Sequence, residues 1–276
     1  MKPFEYAAPM SLKEASELLK QEGAAALAGG TQLLLTFKWL PPPRLIVNIK
    51  GLPGLAAISE DGDDIRIGAL TTLAGVRRSP LLAGRFPVLG MAARLMALPA
   101  VASMGTVGGN IAWASPQADL VQPLLALDAH LDIYEPSPAA AVQGRPALSA
   151  AEGVRVLPLR DFYLGPGQTA LKPGELITGV RLIGADRRAV YLRHSTRRLA
   201  DAQVCSVALT DRRAVLGSCG PTPIVVDLPD GLPIDEAVEL VASKATPRDD
   251  FRASAAYRLK LVRALTRRGL EYLRAA

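Results

Sequence analysis

Sulfur and imidazole are scarce in this chain, which has two cysteines, Cys205 and Cys219, and two histidines, His130 and His194. The cysteine spacing matches no zinc or iron–sulfur run, and two histidines are too few for a histidine-rich metal centre. The chain is therefore not expected to carry a metal cluster of its own. Aromatic residues amount to 5%, so the net charge of +6 has no stacking platform beside it and nucleic acid is not expected as a partner. No apolar run reaches the ~18 residues of a membrane span, and Met1-Lys2-Pro3-Phe4-Glu5-Tyr6 lacks a signal-peptide core, which predicts a cytoplasmic protein without a membrane span. No nucleophile–base pair stands out, and neither G-x-G-x-x-G nor a P-loop occurs. Chemistry carried by such a chain must come from a cofactor.

What is present is an ordinary globular composition, 49% apolar and 21% charged, over 276 residues. That is long enough for two or more lobes with real cores. Two glycine segments stand out: Ala28-Gly29-Gly30-Thr31-Gln32-Leu33 and Gly105-Thr106-Val107-Gly108-Gly109-Asn110. Each sets side-chain-free backbone beside a Thr hydroxyl, so N–H groups can approach an anion such as a phosphate closely. One glycine pair alone does no more than permit a tight turn, but two pairs, each following an apolar element, read as a divided anion cradle.

Along the chain, Ser11-Leu12-Lys13-Glu14 is a capping box opening an amphipathic helix that ends near Gly23. A strand from Ala24 to Ala28 runs into the first glycine pair. Strands are predicted at Arg44 to Ile49 and Asp64 to Ala69, Thr72 is expected to cap a short helix, and Phe86 to Ala97 reads as a buried helix. Ser115-Pro116 offers a helix start that would put Asp119 in the first turn, where a carboxylate is favoured by the helix dipole whatever its function. His130 falls at an apolar helix end and reads as structural. Pro136 to Ala151 looks like a surface excursion.

A second lobe is expected from about Gly167 onward, with strands at Leu176 to Leu182, Ala189 to Arg193, Gln203 to Leu209 and Ala214 to Ser218 forming an antiparallel sheet. Pro233 begins a helical stretch. Asp249 to Leu273 reads as a long terminal helix with Phe251, Ala255, Leu259, Val262 and Leu265 on one stripe. Arg193, His194, Arg197 and Arg198 form a basic cluster that reads as a solvated or salt-bridged strand end, or as a contact to an anionic partner.

Taken in order, Ala28 to Leu34, Ile67-Gly68-Ala69-Leu70-Thr71-Thr72, Gly105 to Ala112 and Ser115-Pro116-Gln117-Ala118-Asp119-Leu120 resemble the FAD-binding medium subunit of the molybdenum hydroxylases. That family includes subunits of the carbon monoxide dehydrogenase and xanthine dehydrogenase type. Asp161 to Thr169, Pro173-Gly174-Glu175-Leu176-Ile177, Arg197-Arg198 to Asp201 and Ser254-Ala255-Ala256-Tyr257-Arg258 carry the resemblance over nearly the whole chain.

The resemblance implies an α/β (α+β) fold. An FAD-binding domain over 1–166, made of two α/β subdomains split near 52–58, would precede a C-terminal domain over 167–276 with an antiparallel sheet and helices. It also implies that Leu27, Ala28, Gly29, Gly30, Thr31, Gln32 and Leu33 wrap the FAD diphosphate, with Thr106, Val107, Gly108, Gly109 and Asn110 as the second loop. Asp119 would bond the ribityl or ribose portion, Ile177 would pack near the flavin, and Arg193 would stand where relatives often have Lys. The chain departs from many relatives in carrying Ala102-Ser103 where they have Arg-Asn before the second loop.

As a member of this family, the chain would pass electrons from the iron–sulfur clusters of a small 2Fe-2S subunit through FAD to an external acceptor. A large molybdopterin subunit would oxidise the substrate, in a heterotrimer or its dimer. The competing readings are an FAD-free scaffold subunit, a stand-alone FAD oxidoreductase similar to the enolpyruvyl-sugar reductases, and a basic anion- or RNA-binding protein, which steep salt dependence of binding would reveal.

Overall fold

The computed structural model describes residues 3–135, 153–184, 187–197 and 201–275. The chain opens with β1 (Glu5–Ala7), α1 (Leu12–Leu19), β2 (Ala24–Leu27), α2 (Leu33–Thr36) and β3 (Leu45–Asn48). β1 and β2 flank β3, both parallel to it. Leu45, Ile46 and Val47 of β3 are buried, the near-continuous apolar run of a central parallel strand. Ser11 caps α1 through the Glu14 N–H (3.2 Å). The capping box is only half formed, because the Glu14 carboxylate accepts from the Met10 N–H (2.9 Å) rather than from Ser11. α2 continues directly from the first glycine pair.

A second unit begins with β4 (Ile58–Asp61) and β5 (Asp64–Gly68) and proceeds through six short helices. These are α3 (Leu73–Arg78), α4 (Pro80–Arg85), α5 (Pro87–Met96), α6 (Pro99–Ala102), α7 (Val107–Ala112) and α8 (Val121–Ala126). The Thr72 hydroxyl caps α3 by accepting from the Gly75 N–H (3.0 Å), as its sequence position predicts. β6 (His130–Tyr134) and β7 (Val154–Pro158) follow, then a small hairpin of β8 (Tyr163–Gly165) and β9 (Gln168–Thr169), then β10 (Leu176–Leu182). His130 therefore opens a strand rather than closing a helix. The excursion expected at 136–151 lies outside the described residues.

β10 departs from the expected grouping of strands. It does not pair with the C-terminal strands but sits in the middle of a five-stranded sheet, order β4-β5-β10-β6-β7, antiparallel to both β5 and β6. All seven of its residues are buried. Beneath it the Asp132 carboxylate accepts from Arg66 Nε (2.9 Å) and Arg181 Nε (2.5 Å), and Arg66 also donates to the Thr178 carbonyl (3.0 Å). This charge set, with Asp132 and Arg181 buried and Arg66 partly exposed, ties three strands together.

The remaining strands, β11 (Val190–His194), β12 (Cys205–Leu209), β13 (Arg213–Gly217) and β14 (Ile224–Asp227), form an antiparallel sheet in sequence order. Its faces alternate with the period of two expected of strands. Tyr191, Ala208 and Val215 join the core of the preceding unit, against α8, while Val190, Val207, Leu209 and Leu216 join a second core with α9 (Ile234–Lys244) and α10 (Ala255–Ala275). α10 begins later than predicted. Asp250 accepts from the N–H groups of Arg252 and Ala253, and Asp249 accepts from that of Ala255, so the 249–254 stretch folds into polar turns with Phe251 90% exposed.

Candidate functional site: a cradle of two glycine loops

The two glycine segments, distant in sequence, touch. An added Cβ at Gly29 would lie 1.9 Å from the Met104 carbonyl oxygen, so the first loop reaches the backbone entering the second only because residue 29 has no side chain. Gly30 has φ +70, a left-handed turn that favours glycine, and leads into α2. Among the described residues, the N–H groups of Gly30, Thr31, Gln32 and Leu33 have no hydrogen-bond acceptor. Four successive free donors at the start of a helix make a concave electropositive surface of the kind that holds phosphate oxygens.

The second loop is built differently. Gly105, Val107 and Gly108 donate their N–H groups to Val101, Thr71 and Ala69 carbonyls at 2.7, 2.9 and 2.8 Å. Thr106 caps α7, its hydroxyl accepting from the Gly109 N–H (3.1 Å). Among the described residues the Thr106 N–H alone of this loop has no acceptor, so most of its donors are committed to the fold and the row of open ones belongs to the first loop. Gly108 is glycine because a Cβ there would stand 2.8 Å from that of Ala69. Asn110 contributes a buried side-chain oxygen with no partner among the described residues. Ala69 in turn donates to the Thr178 carbonyl (3.0 Å), which fixes the second loop to β10 beside the buried Ile177. The positions where many relatives carry Arg-Asn are quiet, with Ala102 fully buried and the Ser103 hydroxyl donating to the Ala100 carbonyl (2.8 Å).

Asp119 and Arg193, far apart in sequence, form one buried pair. Arg193 donates to Asp119 Oδ1 at 2.7 Å, and the Tyr191 hydroxyl donates to the same oxygen at 2.6 Å. The two charged side chains are 6% and 4% exposed. Arg193 also donates to the Leu95 carbonyl (3.2 Å) and the Asp201 carbonyl (2.5 Å), clamping the C-terminal sheet to α5. Burial pushes the Asp119 carboxyl up to about 6, the Arg193 charge and the two hydrogen bonds only partly opposing it.

Asp119 lies in a turn before α8 rather than in the first turn of a helix, because the Ser115 hydroxyl accepts from the Gln117 N–H (3.2 Å) and helix starts only at Val121. Tyr191 was invisible as a site residue in sequence. Its alternation to the core side of β11 was the available signal.

Around the cradle the surface is apolar: Leu34, Leu35, Trp39 and Leu40 after the first loop, and Leu98, Val101 and Met104 before the second, are all exposed. Among the described residues no group of three His, Cys, Asp or Glu is placed to hold a metal. No described helix is long and apolar enough to cross a membrane. The donor set fits the diphosphate of FAD: free N–H groups and a Thr hydroxyl for the phosphates, a spare Asn110 oxygen for a polar hydrogen, and apolar surface for rings.

Known proteins with this architecture were found by sequence and by structure. A family described as the FAD binding domain in molybdopterin dehydrogenase matches residues 2–182, and the CO dehydrogenase flavoprotein C-terminal domain matches 229–273. The first match ends with β10, as the sheet topology requires. The carbon monoxide dehydrogenase medium chain of Afipia carboxidovorans is 30% identical over 99% of this chain and 97% of its own length. The nicotine 6-hydroxylase medium subunit of Paenarthrobacter nicotinovorans is 30% identical over 95% and 94%. Among solved structures, carbon monoxide dehydrogenase from Hydrogenophaga pseudoflava superposes with a TM-score of 0.87 at 27% identity, covering 100% of this chain and 99% of the other. Quinoline 2-oxidoreductase from Pseudomonas putida 86 gives 0.84 at 25%, covering 99% and 98%. The two family matches in this order and the full-length similarity place this chain in the family of FAD-binding medium subunits of the molybdenum hydroxylases.

Proposed function

We propose that this chain is the flavin station of a heteromeric molybdenum hydroxylase, passing electrons from a partner's iron–sulfur clusters through FAD to an external acceptor. The observation that carries this reading is the row of four unpaired N–H donors from Gly30 to Leu33, which has no structural use in the fold and suits a diphosphate. Leu27 to Leu33 hold the diphosphate, and Thr106 to Asn110 shape the opposite wall through packing and the Asn110 oxygen. FAD when bound supplies one- and two-electron transfer.

The chain's own residues bind and orient. Gly29 lets the two loops close, Ile177 offers an apolar contact for the flavin, and Arg193 and Asp119 hold the C-terminal sheet against α5 and the turn before α8. Their mutual pairing gives both a supporting role. Substrate choice belongs to a partner: carbon monoxide, nicotine and quinoline label relatives with the same medium-chain fold. The partners are a large molybdopterin subunit and a small 2Fe-2S subunit, in a heterotrimer or its dimer, and the complex works in the cytoplasm.

The test is to purify the chain with and without its two partners and record the visible spectrum before and after substrate is added without air. The expected result is a flavin spectrum that survives desalting and bleaches with substrate only in the complete complex. A complex that turns over acceptor while its flavin stays oxidised, or that never holds flavin, refutes the assignment and favours a scaffold role.

A further inference from the structure

Cys205, the first residue of β12, and Cys219, two residues beyond β13, have their sulfur atoms 3.4 Å apart. Both are free thiols with no exposed surface. The register that pairs Ser206 with Gly217 carries on toward Ser218, whose φ of 59 is a left-handed conformation uncommon for a residue with a side chain. That turn is held at three points. The Ser218 N–H donates to the Pro116 carbonyl (2.9 Å), its hydroxyl donates to the Gln203 carbonyl (3.2 Å), and its carbonyl accepts from Arg258 (3.1 Å).

Arg258, on α10, is 3% exposed and also donates to the Val204 carbonyl. One buried cation thus grips the carbonyl immediately before each cysteine, with Asp250 at 2.6 Å as its counter-ion. That grip fixes the backbone on both sides of the sulfur pair and sets a positive charge near it. The same surroundings divide the pair. The contact between the two sulfurs and the Arg258 charge hold Cys219 below the ordinary thiol range, while that contact and burial push Cys205 well above it.

We propose that Cys205 and Cys219 are a dithiol–disulfide couple, oxidised by hydrogen peroxide, that fastens the end of β13 to β12. The Cys219 sulfur, as thiolate, attacks one peroxide oxygen. The O–O bond breaks, the departing hydroxide takes a proton to become water, and Cys219 is left as a sulfenic acid. The Cys205 sulfur then attacks the Cys219 sulfur, giving up its proton as the S–O bond breaks and a second water leaves. Two thiols lose two hydrogens and two electrons, and one peroxide becomes two waters. Complete burial restricts the oxidant to a molecule near the size of water. The proposal is independent of the flavin assignment, because added peroxide serves as the oxidant.

The test treats the purified full-length chain with increasing peroxide, quenches it, denatures it, alkylates free thiols and weighs the intact chain and its tryptic peptides. Arg212 and Arg213 lie between the two cysteines, so trypsin separates them and a disulfide appears as one linked pair that dithiothreitol splits. Both alkylation sites are expected to disappear together, with the linked peptide in proportion. In Cys205→Ala the reaction is expected to stop at a Cys219 sulfenic acid that dimedone traps, and Arg258→Met should slow oxidation. Wild-type thiols that stay alkylatable under a large excess of peroxide, or that oxidise one at a time without a linked peptide, overturn the proposal. The wild-type measurement decides the matter even if a variant fails to fold.

Discussion

Replacing Gly29 by alanine perturbs the contact on which the cradle depends. The new Cβ would stand 1.9 Å from the Met104 carbonyl oxygen and 2.7 Å from its carbonyl carbon, and real Cβ contacts do not fall under 3.0 Å. Both neighbours are backbone, so no side chain can rotate away and the loops must part by roughly 1 Å, a strain that costs about 1–3 kcal/mol in overpacked sites. The same movement misaligns the N–H donors from Gly30 to Leu33. A hydrogen bond to a charged oxygen contributes about 1.5–3 kcal/mol, so losing the alignment of one donor weakens FAD binding at least about tenfold. Thermal unfolding with and without FAD, together with an FAD fluorescence titration, measures both effects. Gly90→Ala is the control, because Gly90 lies inside α5 with nothing within 4 Å of an added Cβ. That substitution should stabilise the chain by about 0.5–1 kcal/mol and leave FAD binding alone. A Gly29→Ala chain that unfolds with the wild type and binds FAD equally well would refute the reasoning.

Three further outcomes are expected. Asp132→Asn takes the shared anion from Arg66, which is partly exposed and keeps the Thr178 carbonyl, and from buried Arg181, which keeps Asp61 at 3.1 Å, so it should destabilise the chain by about 1–3 kcal/mol in urea unfolding; unchanged unfolding would refute a role for the shared carboxylate. Because the Asp119 carboxyl is raised to about 6 in the folded state, folding is favoured by its protonated form, so its contribution to stability falls as pH rises from about 4 to about 6 and is flat above. The shift corresponds to about 3 kcal/mol; Asp119→Asn should remove this slope, and a wild-type-minus-variant difference that stays level across that range would contradict it. Arg193→Lys loses the fork that serves Asp119, Leu95 and Asp201 at once, and should lower stability by about 1–2 kcal/mol. Unfolding midpoints that coincide with the wild type would argue against the clamp.

Local features of this chain were legible in its sequence because they are written locally. Thr72 caps the helix it precedes, Ala24 to Leu27 runs into the glycine turn, and the three strands from Val190 to Gly217 alternate with period two. What could not be read depends on partners far along the chain. β10 is buried on both faces, so it has no alternation to say which sheet it joins, and its neighbours β5 and β6 precede it by many residues. Asp119 carries a first-turn signal, but its position is decided by Tyr191 and Arg193, and the Ser115 hydroxyl that was to start the helix is spent on a tight turn. The division of labour between the glycine loops was equally hidden, since both sequences look alike and only the fold consumes the donors of the second. At the C-terminus the apolar spacing through Phe251 suggested helix, but Asp249 and Asp250 compete for the same N–H groups.

The central place of β10 has a consequence for how this protein is made. Until Leu182 has left the ribosome, β5 and β6 each present an open strand edge toward the gap between them, and neither can be closed by anything encoded earlier. The five-stranded sheet therefore waits, half-zipped and adhesive, for the seven-residue strand that is the last of its own to be made. A fragment cut at 166 would keep that wound permanently and is expected to aggregate, whereas one cut just after β10 would carry its own bandage.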